Sequence, residues 1–152
     1  MGNQPSISGS PPAPLTFYCD AKADNDRFAI CDQRGNPVWH GRFFATDHDY
    51  NGEQSSGEIA AARKAVWLAS KAKETLGLSA IKHALKVDAE WLCYANAVRH
   101  GNPGGGRARA LGDLAIRSGV VLTVEQIAGG KNPADQYTIS AGFKKWHRIS
   151  PL

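Results

Sequence analysis

The feature that most constrains the fold of this chain is a change of hydrophobic period partway along it. Leu15-Thr16-Phe17-Tyr18-Cys19-Asp20, Arg27 to Asp32 and Val38 to Ala45 are short β-prone runs, the last two flanking the turn-forming Arg34-Gly35-Asn36-Pro37. From Gly57 to Leu76 the period lengthens: Ile59, Ala62, Val66, Ala69, Ala72 and Leu76 recur at three- and four-residue steps among Ala, Lys and Glu. The early runs predict a strand and then a hairpin. The later one predicts a long helix, reached through a polar loop from Thr46 to Ser56.

Beyond Gly77, the alternation of Ile81, His83, Leu85 and Val87 predicts a strand ending at Asp88, and Ala89 to Arg99 predicts a helix. Gly101 to Gly106 breaks the pattern. Arg107 to Ser118 reads as helix and Val120 to Ala128 as strand; Asn132-Pro133 then offers a cap and a first-turn proline for a helix from Ala134 to about Lys145. The order β-β-β-α-β-α-α-β-α has no internal repeat. It predicts an α/β fold with a five-stranded mixed sheet: the first three strands antiparallel, the last two parallel to the first through right-handed crossovers, and helices on both faces. Such sheets place their functional crevice beyond the carboxyl ends of the parallel strands, where Asp20 and Asp88 are expected.

The chain has 152 residues, 42% hydrophobic and 21% charged, the composition of one ordinary globular domain. No apolar run approaches the roughly eighteen residues that span a bilayer, so no membrane partner is expected. Met1 to Pro14, rich in Gly, Ser and Pro, reads as a disordered tail; residues 15–146 read as the domain and 147–152 as a short second tail. Met1-Gly2 with Ser6 fits a loose myristoylation pattern in which Pro5 is an awkward neighbour. Cys19, Cys31 and Cys93 are odd in number and lack CxxC spacing, which predicts free thiols in a reducing, cytoplasmic setting. A formal net charge of +4 suits a polyanionic partner.

Four acids fall at pointed places: Asp20 ending the first strand, Glu58 opening the long helix, Asp88 ending the fourth strand and Asp135 opening the last helix. Their local sequences are Phe17-Tyr18-Cys19-Asp20, Gly57-Glu58-Ile59-Ala60-Ala61-Ala62, Lys86-Val87-Asp88-Ala89 and Asn132-Pro133-Ala134-Asp135. In order and in context this arrangement resembles the ribonuclease H family, along Leu15 to about Trp146. The resemblance implies a ribonuclease H-like fold in which Asp20, Glu58, Asp88 and Asp135 are catalytic and hold two Mg²⁺ ions, with Mn²⁺ able to substitute. It implies an endonuclease that cuts the RNA strand of RNA–DNA hybrids, expected to act as a monomer. Hard divalent ions prefer oxygen ligands, and a pair of them activates water and stabilises the leaving oxygen of a phosphodiester.

The same resemblance puts Ser55 and Ser56 near the RNA strand; a basic protein reading a hybrid needs phosphate contacts, for which Lys22, Lys131, Arg107, Lys144 and Lys145 are candidates, with Lys144-Lys145 reading equally as a solvated helix end. Three departures are visible. The loop Ala128-Gly129-Gly130-Lys131-Asn132 has no histidine, Asp20 is followed by Ala21-Lys22 where members often carry Gly-Ser, and no room is left for an extra basic helix. These departures predict slow turnover or reliance on a partner domain. The alternatives are a related nuclease acting on DNA and a non-catalytic nucleic-acid-binding module.

Local readings compete for the same residues. Ser55-Ser56-Gly57-Glu58 has capping-box spacing, Asp88 can cap the helix after it, and Asp135 suits a helix N-terminus. Asp47, Asp49, Asn51, Gly52 and Glu58 match calcium-loop spacing, yet a strand precedes them where an entering helix belongs and Gln54 holds the usual apolar position. That match is expected to be accidental. Gly101 to Gly106 lacks the Lys-Ser/Thr ending of a phosphate-binding loop, and His40, His48, His83, His100 and His147 have no zinc-site spacing.

Overall fold

In the computed structural model, which describes residues 13–98, 106–139 and 142–146, the central strand β1 is Leu15–Lys22. It pairs antiparallel with β2 (Arg27–Asp32), which pairs antiparallel with β3 (Pro37–Arg42). Helix α1 (Gln54–Thr75) leads into β4 (Ile81–Val87), parallel to β1 on its other side. A 3₁₀ turn (Glu90–Tyr94), α2 (Ala95–Val98) and α3 (Gly106–Arg117) precede β5 (Val120–Gln126), which lies parallel to β4. The five-stranded mixed sheet has the order β3-β2-β1-β4-β5, and α4 (Asp135–Ile139) closes the fold. The expected α/β architecture and strand directions are thus present.

Strand alternation sends Phe17, Cys19, Phe28 and Ile30 to one face, where Ile59, Ala62, Val66 and Ala69 of α1 cover them in a dry core. Leu111 and Ala115 of α3 join the same cluster. Ala29 and Cys31 point the other way and pack on Ala134, beside α4. Helices therefore flank both faces. The approach of α1 to β1 depends on Gly57, because a Cβ there would stand 3.3 Å from that of Ala21, tighter than ordinary contact.

Several boundaries differ from expectation, each through a long-range contact. β1 runs two residues past Asp20, since Ala21 and Lys22 pair with Phe28 and Arg27. Asp20 is therefore inside the strand. α1 begins at Gln54 instead of Gly57, with Glu53 as N-cap, so Glu58 lies in its second turn and no capping box forms. Ala89 to Val98 is a 3₁₀ turn and one short helix, held by the Asn96 side chain, which bonds both the N–H and the C=O of Val124. β3 ends at Arg42 and β5 at Gln126.

The largest difference is at the end of the chain. α4 stops at Ile139, and residues 142–146 are not helical: Lys144 exchanges two backbone hydrogen bonds with His40 at 3.0 and 2.8 Å. The outer edge of β3 thus captures the segment. The expected tails over 1–12 and 147–152, the myristoylation pattern, the Gly101–Gly105 break, Arg99, His100 and His147 lie outside the described residues. Among the described residues no helix is long and apolar enough to cross a membrane.

Candidate active site

β1 and β4 pair only from Leu15 and His83 to Tyr18 and Lys86. Past Tyr18, β1 continues along β2 to Lys22, whereas β4 continues along β5 to Val87. The two parallel neighbours therefore part at their carboxyl ends and open the crevice that sheets of this kind use for ligands. Asp20 stands on β1 just beyond the parting, and Asp88 follows the last residue of β4. The edge of β1 freed there is taken up by a side chain. Buried Asn132 donates Nδ2–H to the Cys19 carbonyl at 2.9 Å, and its Oδ1 accepts from the Ala134 N–H at 3.0 Å, which fixes the loop ahead of Asp135 against β1.

Asp20 is 6% exposed, and no hydrogen-bond donor reaches its Oδ2. Burial, then the negative charge of Asp88, push its carboxyl up to about 7. Asp135 hydrogen-bonds with Asp20 when the pair shares a proton, and contact with Lys22 holds Asp135 below the usual carboxylate range. The Lys22 ammonium lies 3.0 Å from Asp135 Oδ1, and that contact, with the charges of Asp20 and Asp88, raises its pKa. Two residues beyond Asp20 on the same side of the strand, Lys22 is thus the cluster's internal cation. The acids engage the ammonium that the sequence reading assigned to substrate.

Glu58 reaches the same region from α1. Its Oε1 accepts Trp91 Nε1–H at 2.8 Å, and its Oε2 accepts from Gln54 Nε2 at 3.4 Å. Gln54 also donates to the Ala21 carbonyl at 2.7 Å and accepts from the Ala23 N–H at 2.9 Å, tying the helix start to the end of β1. The buried Cys19 thiol is pushed up by burial first, then by the negative charges of Asp20, Asp88 and Glu58. Asp88 also lies against the loop of Asp135: a Cβ on Gly129 would stand 3.5 Å from Asp88 Oδ2.

The two serines differ. Ser55 accepts a hydrogen bond from Arg107 Nη1 at 2.7 Å, joining α1 to α3. Ser56 is fully buried; its hydroxyl donates to the Glu53 carbonyl and accepts from the Asn51 N–H. It cannot touch a ligand, and the expectation for it is corrected accordingly. Lys131 is exposed at the end of a 3₁₀ turn, Gly129–Lys131. The calcium-like loop has other work: Asp47 binds Lys64 at 2.7 Å and the Phe44 N–H at 2.6 Å, and Asp49 pairs with Arg63 at 2.8 Å. Strand β3, not a helix, precedes it.

An all-carboxylate donor set with one buried, unpartnered oxygen suits a hard divalent cation. As the side chains stand, among the described residues no three Asp, Glu, His or Cys groups are gathered closely enough to ligate one ion, and Lys22 holds an oxygen of Asp135. The sequence reading did not single out Gln54 or Trp91 as partners of Glu58, and it took Asn132 for a helix cap. The Asn-Pro pair was the only signal for that loop. No protein-family model matches the chain, and no curated protein or solved structure does.

Proposed function

We propose that the chain is a ribonuclease H-like, metal-dependent endonuclease that hydrolyses the RNA strand of RNA–DNA hybrids. One observation carries the reading: where β1 and β4 part, Asp20 interacts with both Asp88 and Asp135 and keeps a buried oxygen that no donor reaches. The strand order and the helices on both faces support it. Asp20, Glu58, Asp88 and Asp135 would hold two Mg²⁺ ions, or Mn²⁺. When bound, such ions supply a water nucleophile at neutral pH and stabilise the leaving oxygen.

The chain's own groups prepare that site. Trp91 and Gln54 aim Glu58, while Asn132 sets the loop that delivers Asp135. Lys22 balances the acids at rest; on loading it leaves Asp135, and its half-exposed side chain turns out towards a backbone phosphate. Ser55, bridged to Arg107, and exposed Lys131 flank the crevice as polar contacts for the hybrid.

The Lys22–Asp135 pair favours a second reading, a hybrid-binding module without catalysis, because the internal cation occupies the acids. Labelled RNA–DNA, RNA–RNA and DNA–DNA duplexes, each incubated with Mg²⁺, Mn²⁺ or EDTA, separate the readings. Cleavage confined to the RNA of the hybrid, stopped by EDTA and abolished in Asp20→Asn and Asp88→Asn with unchanged circular dichroism, is the expected result. Cleavage of DNA–DNA would assign a DNA nuclease. Hybrid binding without cleavage under any metal would assign the module.

A further inference from the structure

Lys22, Arg27 and Arg42 are register partners across β1, β2 and β3, and directly paired residues project from one side of a sheet. With strands about 4.8 Å apart, they form a cationic row about 10 Å long. The row starts at the acid cluster and ends at a cleft of about 620 Å³ between β3 and the 142–146 segment. That volume lies within the range that takes one small ligand unit.

The cleft combines two chemistries. Trp39, Phe44, Phe143 and Trp146 line it, with Phe143 81% and Phe44 48% exposed. Large apolar rings left in water at a concave site mark a surface built for a partner. Its charged lining is wholly basic: Arg27 and Arg42 from the row, with Lys144 and Lys145 from the segment. Arg27 gives one donor to the Gly142 carbonyl, and Arg42 approaches Asp26 only to 3.7 Å, so both retain free donors. Among the described residues Lys144 and Lys145 have no ion pair. Close packing of Gly41 on Phe143, where a Cβ would stand 3.2 Å from the phenylalanine Cβ, holds the segment against the strand.

We propose that this cleft receives the unpaired nucleotides of a single-stranded extension as it leaves the hybrid. Bases stack on Phe143 and Phe44, and phosphates follow Lys22, Arg27 and Arg42. Rings set among cations bind single strands with little regard to sequence, because every base has a stacking face. The inference rests on the nucleic-acid reading above and names where a strand continues beyond the cut site.

The test uses Asp20→Asn protein in EDTA, so that no strand is cut, with fluorescein-labelled blunt hybrid, the same hybrid carrying an oligo(dT) extension, and free oligo(dT). Fluorescence anisotropy should show the extended hybrid bound about tenfold more tightly than the blunt one. Adding Phe143→Ala should remove that gain and leave blunt affinity unchanged. Adding Lys145→Glu should weaken extension binding and lower its dependence on salt. No gain from the extension, or a gain that survives Phe143→Ala, overturns the proposal. A monomer–dimer equilibrium in sedimentation that Phe143→Ala abolishes would assign the cleft to a second copy and also overturn it. If wild-type protein cuts no hybrid while oligo(dT) binds through Phe143, the cleft stands and the nuclease reading falls; cleavage with no extension gain is the reverse.

Discussion

Asp20 and His83 place opposite demands on pH. His83 is 1% exposed, donates Nδ1–H to the Leu15 carbonyl at 2.8 Å, and burial pushes its pKa down to about 4. Its neutral form contributes stability that is full above pH 6.5 and lost as pH falls through 4, about 3 kcal/mol in all. Asp20 works the other way. Its protonated form contributes stability that is present below pH 3.8 and lost as pH rises through 7, on the order of 4 kcal/mol. The two offset each other, so metal-free wild-type protein should hold nearly level stability from pH 4 to 7. Asp20→Asn removes one of them, and its stability should climb by about 3 kcal/mol across the same window. Urea midpoints in EDTA check this; parallel curves for the two proteins would show that Asp20 does not titrate near neutrality. Lys22 gives the second residue-scale expectation. Lys22→Met leaves the acids without their internal cation, so the melting temperature without metal should drop and the Mg²⁺ concentration for half-maximal stabilisation should fall by on the order of tenfold. Thermal shift against Mg²⁺ reads both changes, and an unmoved midpoint would mean that Lys22 does not compete.

Elements with a strong internal pattern were legible, and those shaped by distant partners were not. The apolar steps of α1 and the alternation of β4 mark them in the sequence itself. α4 is different: the Asn132-Pro133 cap and first-turn proline suggest a helix from Ala134 to about Lys145, but backbone pairing of Lys144 with His40, 104 positions away in the sequence (144 − 40), decides the course of residues 142–146. Likewise the start of α1 depends on the Gln54 side chain meeting β1, which no local window contains. Asn132 shows how such a contact holds an element in place. Asn132→Ala would leave the buried Cys19 carbonyl without its donor and free the loop before α4, costing about 2 kcal/mol. The urea midpoint should fall accordingly. Asn132→Asp, which would turn a buried carboxylate oxygen towards the Cys19 carbonyl beside Asp20, should recover none of it near neutral pH.

For the molecule as a whole, the mixed sheet and its strand directions followed from element order, because parallel neighbours require helical crossovers and hairpins do not. Asp20 is expected to end its strand, as Asp88 directly follows β4; it lies instead two residues inside β1, where the charge of Asp88 still reaches it. What stayed hidden was side-chain company: Lys22 among the acids, Trp91 on Glu58 and the burial of Ser56 all depend on rotamers and on packing between layers. The cleft was hidden for the same reason, as its two walls come from β3 and from a segment expected to be helical.

The divergence of β1 from β4 also bears on motion. Leu15 and Thr16 pair with β4 alone, Phe17 and Tyr18 are paired on both sides, and at Ala21 and Lys22 β2 is the one neighbouring strand, with Gln54 on the Ala21 carbonyl. Hydrogen–deuterium exchange should therefore step up from the middle of this strand towards its end, with amides around Phe17 and Tyr18 opening only in global unfolding and those near Lys22 exchanging through smaller openings. The acidic end can then breathe on a rigid root, which lets the charged groups rearrange around an incoming strand without melting the core beneath them.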